Sequence, residues 1–360
     1  MAVSRFGRYP GDPVSERVLV LGGTGFIGRH VVAGLAAGGH TIAVFHRGHT
    51  PTDLDESVHR ILGDRRSIGD HAAELRAFRP RVVIDMIGYT EPEARTAAEA
   101  LRGVVERAVV VSSQDVYRGF DRFRRLVPGP VEPVPYGEKA SLRERMYPYR
   151  GRDVVQDPWV LDYDKILVEQ AFREHSGAAV TVLRLPMVYG PGDRQHRILP
   201  YLKPMDDGRP AILLEEGQAR WRWTRGFVVD VAVAIVRAAT DERAAGRTYN
   251  VGEVDPLTEA EWVRAIGRAA GWSGEVIAVP AGLWPASRTA AVDWAQSLVA
   301  DTSCIRRDLG FEESAGREEG LLRTVEWERE NPPLLDTGQF DYAADDRLLE
   351  RLGREPGQHR

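Results

Sequence analysis

Five short runs of consecutive apolar residues, most of them β-branched, mark the first half of the chain. They are RVLVL (17–21), TIAVF (41–45), RVVIDM (81–86), AVVVS (108–112) and AVTVLR (179–184). Runs of this length without polar alternation suit strands covered on both faces, as in a parallel sheet. Helical periodicity fills the gaps near 26–38, 68–79, 91–105 and 161–175. Alternation of this kind predicts an α/β fold with a doubly wound parallel sheet. The pattern breaks twice. Residues 118–155 are rich in Arg, Pro, Gly and Tyr and show no period, which predicts a long insertion. Beyond residue 190 the pattern is mixed. LTEAEWVRAIGRAAG (257–271) predicts a helix with a capping box from Thr258 to Glu261, and PASRTAAVDWAQSLVA (285–300) predicts another. This half is expected to form a smaller mixed α/β lobe over the sheet edge.

Composition narrows the function classes. A formal net charge of −5 argues against a general nucleic-acid binder. The single cysteine, Cys304, excludes an internal disulfide and fits a reducing compartment. It reads either as a passive residue or as a reactive thiol. The start, MAVSRFGRYPGDPVSER, lacks the apolar core of a signal peptide, and no apolar run approaches the roughly 18 residues of a membrane span. The expectation is a cytoplasmic protein that does not enter a membrane. Residues 1–15 and 331–360 are polar and are expected to be poorly ordered tails.

The first strand runs into VLVLGGTGFIGRHVV. Its glycines fit G-x-x-G-x-x-G as Gly22, Gly25 and Gly28. Gly22 allows the tight turn, Gly25 lets a pyrophosphate approach the backbone, and Gly28 lets the helix pack on the strand. The helix start, with Phe26 and Ile27 beside it, then offers free N–H groups and the positive end of a dipole to the anion. Between a strand and a helix this is a dinucleotide-binding pattern. The second strand ends in VFHRGH, with His46 and Arg47 where an NAD-binding chain usually carries an acid. An arginine pairs with a ribose 2′-phosphate that an acid would repel. The expected cofactor is therefore NADP, with NAD as the alternative and a solvated Arg47 as the bland reading.

Further motifs follow in order: GD at Gly63–Asp64, SSQDVY (112–117), KILVE (165–169), RLPMVYGPGD (184–193), YNVGE (249–253), DTSCIRRDLGF (301–311) and TVEWEREN (324–331). With the glycine loop, they make the chain resemble the extended short-chain dehydrogenase/reductases of the nucleotide-sugar epimerase/dehydratase type. The resemblance implies a Rossmann domain over 16–190 and about 225–252, carrying the insertion, with a substrate lobe over the rest of 191–330. By position it implies that Asp64 contacts the adenine and that Ile87 and Gly88 lie along the cofactor. Pro186 and Val188 would back the nicotinamide. Ser113, three residues before the Val of VY, matches the family's active-site Ser/Thr. Lys165, four residues before Glu169, matches the family lysine. Ser113 also reads as a strand-end cap, and Lys165 as a solvated helix lysine.

One family feature is missing. The proton-transfer tyrosine stands four residues before the lysine, where this chain has Leu161. On a helix, positions i and i+4 share a face. Tyr163, at i−2, would point roughly 200° away from Lys165 if the helix is regular. It would serve only if the helix began late. Asp162, at i−3, shares the lysine's face and is a candidate base or a helix-start acid. Tyr147 and Tyr149 of the insertion are further candidates. The insertion is basic, with RFRR (122–125) offering Arg124 and Arg125 to a small anionic substrate such as a nucleotide sugar. ARWRWTRGF (219–227), read as a strand, would put Arg220 and Arg222 on one face and Trp221 and Trp223 on the other. It borders substrate phosphates in the family; buried tryptophans with exposed arginines are the plain alternative, and stacking on single-stranded nucleic acid the weaker one. The expected function is NAD(P)-dependent hydride transfer, in epimerisation, dehydration or reduction, at an atypical site. The rival is a non-catalytic cofactor-binding regulatory or RNA-associated protein. A homodimer is compatible with either.

Overall fold

The computed structural model describes residues 15–50, 54–151, 158–334 and 340–354. Its first half runs β1 (Arg17–Leu21), α1 (Gly28–Ala37), β2 (Thr41–His46), β3 (His59–Leu62), α2 (Ala72–Phe78), β4 (Val82–Asp85), α3 (Glu91–Leu101), β5 (Arg107–Ser113), α4 (Arg118–Phe123), α5 (Lys165–His175) and β6 (Ala179–Leu185). The second half runs β7 (Met187–Tyr189), α6 (Leu199–Asp206), β8 (Ala211–Glu215), α7 (Glu216–Arg220), β9 (Arg225–Phe227), α8 (Val228–Thr240), β10 (Thr248–Asn250), α9 (Glu259–Ala270), β11 (Glu275–Val279), α10 (Ser303–Leu309), α11 (Gly316–Glu330) and α12 (Tyr342–Arg351).

Seven strands form one parallel sheet in the order β3-β2-β1-β4-β5-β6-β10. This is the doubly wound Rossmann arrangement. Because side chains alternate along a strand, β1 feeds both faces. Val18 and Val20 join Val31, Leu35 and Ile235 on the α1/α8 side. Leu19 and Leu21 join Ala97, Val168 and Phe172 on the α3/α5 side. Both layers are closed, so the strands show no polar alternation. The chain reverses strand order beside β1, which opens a crevice at the carboxyl ends of β1 and β4, where α/β sheets bind ligands. The smaller lobe carries two short parallel ladders, β7 with β9 and β8 with β11.

Several elements depart from the sequence reading. Strand β3 has one buried position, Ile61, among His59, Arg60 and Leu62, so an edge strand left no apolar run. Residues 285–300 do not form a helix. A single turn at Ala286–Arg288 is followed by chain pulled into the lobe, where Trp294 packs on Phe123 and Trp221, and Leu298 bridges to Trp223. The insertion is no free loop as far as Gly151: it starts with α4 and is stitched by Arg118–Glu132, Arg122–Glu132 and Arg143–Asp164 pairs. Residues 152–155 lie outside the described residues. The C-terminal stretch contains α12, whose Leu348 and Leu349 are buried, so this part is not the disordered tail its polarity suggested. The tail reading of residues 1–14 falls outside the described residues.

Candidate active site

The loop from β1 to α1 is built as its glycines require. Gly22 adopts φ +87°, and an added Cβ would collide with Ile87. A Cβ on Gly28 would collide with the Gly22 carbonyl, so the helix seats tightly on the turn. At Gly25 a Cβ would meet nothing within 4 Å. That open side lies at the start of α1, whose first-turn N–H groups lack intrahelical partners. Phe26 and Ile27 pack against the core and fix the loop. The residues fit a dinucleotide's pyrophosphate.

At the end of β2, His46 is buried, its Nδ1 accepts from the Gly48 N–H at 3.2 Å, and burial with Arg60 nearby favours its neutral form. Arg47 is exposed beyond it and is the cation available there. Asp64 accepts from the Arg66 N–H at 2.9 Å and pairs with its guanidinium at 2.8 Å; the Arg66 bonds hold its carboxyl below the usual range. Below the β4 end sits a pair that the sequence reading missed: Arg65 grips the fully buried Asp85 at 2.5 and 2.6 Å. A Cβ on Gly88 would lie 2.8 Å from Asp85 Oδ2, and the Ile87 N–H donates to Asp85 Oδ1 at 3.1 Å. The acid at the end of a buried strand was the available signal.

Lys165 is 4 % exposed. Its Nζ donates to the carbonyls of Gly88 (2.6 Å) and Val111 (2.9 Å) and lies 4.8 Å from the Tyr89 ring. Burial lowers its pKa to about 8, against the opposing pull of Asp85 and Asp115. It is therefore a core-facing cation, not a solvated helix residue. Ser113 ends β5, and its hydroxyl accepts from the Asp115 N–H at 3.2 Å.

The main correction concerns the lysine helix. It begins at Lys165, not near 161, because Asp164 caps it by accepting from the Ile166 N–H at 2.9 Å. Asp164 is fully buried, pairs with Arg143 at 3.3 Å and accepts from the Tyr147 N–H at 2.7 Å. Residue 163 thus precedes the helix, bridged to Thr90, and the 200° argument does not apply. The Tyr163 phenol donates to Asp115 Oδ2 at 2.9 Å, with the Ser113 hydroxyl close by. Tyr149 meets its ring edge-on at 5.4 Å. Burial, then the Asp115 charge, push the Tyr163 pKa well above the ordinary value. Leu161 and Asp162 lie in a separate turn, and Asp162 pairs with Arg150 at 2.7 Å on the surface. Asp162 does not join Ser113 and Lys165 as a base.

Of the proposed substrate arginines, Arg124 comes nearest this group: its guanidinium hydrogen-bonds the Tyr149 hydroxyl at 3.3 Å and lies 5.2 Å from that ring. Arg125 is exposed. The 219–227 stretch is not a strand throughout; α7 ends at Arg220, which pairs with Glu216, and Arg222 is exposed. Trp221 packs against Phe123 at 4.8 Å, so tryptophans in and arginines out is what the structure has. Val188 is buried, and its carbonyl accepts from Arg197 at 3.1 Å; Pro186 lies against Gly226 and Gly252. Cys304 is half-buried with its thiol pKa raised by burial, which fits a passive residue. Behind the site, Glu169 grips Arg184 (3.0 and 2.9 Å) and accepts from Ser112, while Arg184 reaches the Tyr117 hydroxyl, which donates to Asn250. This ties α5, β5, β6 and β10 together.

A glycine loop on a Rossmann crevice, with Ser, Tyr and Lys converging at the β5 end, defines a nicotinamide-type oxidoreductase. The chain belongs to the NAD dependent epimerase/dehydratase family, whose pattern matches residues 18–122 and 162–252. It is 27% identical to the 2′-dehydrokanamycin reductase of Streptomyces kanamyceticus over 274 residues, 74% of this chain and 70% of the relative. It is 25% identical to the 2-alkyl-3-oxoalkanoate reductase of Stenotrophomonas maltophilia, over 85% of this chain and 98% of that one. Among solved structures, the fold resembles a Thermus thermophilus UDP-glucose 4-epimerase in complex with NAD (TM-score 0.60, 23% identity, 87% of this chain and 99% of the other). Among the described residues, no helix is long and apolar enough to cross a membrane.

Proposed function

We propose that the protein is an NADP(H)-dependent reductase acting on a carbonyl of a small hydroxylated, anionic substrate, with nucleotide sugars as the first class to test. The observation that carries this reading is the Tyr163 phenol, bonded to Asp115 near the Ser113 hydroxyl, with its pKa raised. Gly22, Gly25 and Gly28 would hold the pyrophosphate, Asp64 the adenine, and Ile87, Gly88, Pro186 and Val188 the inner part of the cofactor. When bound, the cofactor supplies the hydride. Ser113 donates a hydrogen bond to the substrate oxygen and aligns it. Tyr163 keeps its proton at neutral pH and gives it up when that oxygen becomes an alkoxide, a stronger base. A phenol in this state acts as a general acid, which favours reduction over abstraction of a hydroxyl proton. Lys165 would hold the nicotinamide ribose and supply positive charge there. Arg124, close enough to Tyr163 for mutual charge effects, offsets the phenolate left behind and meets an anionic group of the substrate.

The decisive experiment is Tyr163→Phe. Turnover of NADPH with a carbonyl substrate should fall about 10²–10⁴-fold, the usual range for one acid–base group, with cofactor affinity unchanged. Undiminished turnover would remove Tyr163 from the chemistry. A second expectation concerns the cofactor. The wild type should bind NADPH more tightly than NADH, and Arg47→Ala should erase most of that preference in a fluorescence titration. Tighter binding of NADH by the wild type would sink it.

A further inference from the structure

A cavity of about 250 Å³ opens in the smaller lobe between β9, the 251–255 turn and the start of α11. None of its lining residues belongs to the glycine loop or to the Ser113–Tyr163–Lys165 group. It lies one layer behind Pro186, which packs against Gly226 and Gly252 of its lining. The lining carries five carboxylates (Asp230, Glu253, Asp255, Glu313, Glu318) and two guanidiniums, Arg225 and Arg317.

Both guanidiniums are already committed. Arg225 pairs with Glu259 from behind, and Arg317 donates to Glu253 at 2.9 and 2.6 Å. Each guanidinium is thus already balanced by a carboxylate. Two other polar groups are more than nine-tenths buried and lack a full set of partners. Tyr189 is 2 % exposed, and its hydroxyl has no hydrogen bond among the described residues. Asp230 is 4 % exposed; its Oδ1 takes the Ser314 N–H (2.6 Å) and the Ala315 N–H (3.0 Å), and its Oδ2 has no partner there. Glu253, Arg317, Asp230 and Arg225 line the same cavity as Tyr189. Asp230 already meets the positive start of the segment leading into α11. Phe227 and Phe311 complete the wall with aromatic surface.

We propose that this cavity binds a protonated amine, with the ammonium between Asp230 Oδ2 and the Tyr189 hydroxyl. An ammonium carries three donors and no acceptor, which suits a lining of unpartnered acceptors. An anion would meet carboxylates without a free guanidinium to offset them. The volume suits one sugar-sized ring, so an amino sugar is the fitting probe. This site stands apart from the catalytic reading and does not rest on it.

The test is calorimetric titration of the full chain, without cofactor, using glucosamine and, as a neutral match, glucose. Saturable binding of glucosamine, weakened by added salt and absent with glucose, is expected. Tyr189→Phe should weaken it about tenfold, the scale of one hydrogen bond. Asp230→Asn, which keeps an acceptor for the Ser314 and Ala315 N–H groups, should weaken it further, with folding checked by circular dichroism. Tyr163→Phe should bind as the wild type does. No saturable glucosamine binding, equal glucose binding, or unchanged binding in both the Tyr189 and the Asp230 variants would overturn the proposal. Loss of binding in Tyr163→Phe would place the amine in the catalytic cleft and overturn it equally.

Discussion

Lys165 and Tyr163 stand two residues apart yet live under opposite electrical demands. Burial pushes the lysine down to about 8 and the phenol up, so both sit nearer their neutral forms than in water. For Lys165 the sign can be worked out. Its folded pKa lies below the unfolded value, so between about pH 8 and about 10.5 the unfolded chain binds more protons, and stability from this residue rises with pH. Cofactor binding should run the other way. If the charged lysine contacts the bound cofactor, affinity falls as pH passes about 8. Lys165→Met should bind the cofactor about tenfold or more weakly at pH 7, a charge-assisted bond being lost, and with little dependence on pH. Titrations at pH 6.5, 8 and 9.5 check this; a wild-type affinity that is flat across them would show the lysine is not a contact. Gly22 and Gly28 were legible in the sequence because each answers a local backbone demand. Tyr163 was not, because its role depends on where a helix begins. The clue was present: Asp164 precedes the run KILVE and is a preferred N-cap residue, which puts the first helical position at Lys165.

At the scale of elements, the start of α5 depends on the insertion. Arg143 is buried beside Asp164, donates to the Asp115 carbonyl at 2.6 Å, and so joins the cap of the helix to the loop after β5. The same guanidinium holds both sides of the Tyr163–Asp115 contact in register. Its charge, part of the basic insertion, is spent inside the fold; spacing alone cannot separate a paired arginine from a free one. Breaking a buried pair typically costs about 3–5 kcal/mol, since one charge stays behind. Arg143→Met should therefore lower the unfolding free energy measured in urea by that order. It should also slow turnover, because the start of α5 and the Tyr163–Asp115 contact lose their common anchor. A variant that loses stability but keeps full turnover would show that the pair supports the fold without positioning Tyr163. The elements that escaped the sequence share a cause. Strand β3 and the 285–300 segment take their form from neighbours: an existing sheet edge in one case, the Trp221 and Phe123 rings in the other.

Over the whole molecule, stability is unevenly provided. The large sheet is closed on both faces by long helices, whereas the smaller lobe has two short ladders and borrows an outer element, α12. That helix is polar in sequence but spans the lobe. Asp346 pairs with Arg209, Asp345 with Arg288 at 2.5 Å, the Tyr342 hydroxyl donates to Asp207, and Arg354, just beyond it, pairs with Glu275 at 2.6 Å. These partners flank α6, β8 and β11 and the 285–300 segment, all parts of the lobe. Leu348 and Leu349 are buried to 1 % and 2 % exposure. Each buried leucine contributes about 1.5–3 kcal/mol, and exposed pairs at most about 1 kcal/mol, before the entropy of ordering the helix is subtracted. A net loss of a few kcal/mol is therefore expected on deleting residues 335–360. The scanning-calorimetry transition should fall by about 5–10 °C, at roughly 2–4 °C per kcal/mol for a unit of this size. The loss should appear as an earlier melting of the lobe, while the affinity for the nicotinamide cofactor, on the proposed site in the sheet domain, stays as in the full chain. Adding cofactor should then raise the melting of the sheet domain more than that of the lobe, by mass action on the state that binds it. An unchanged transition in the truncated protein would mean that α12 rests on the lobe without holding it; a parallel loss of cofactor affinity would mean that the two parts melt as one.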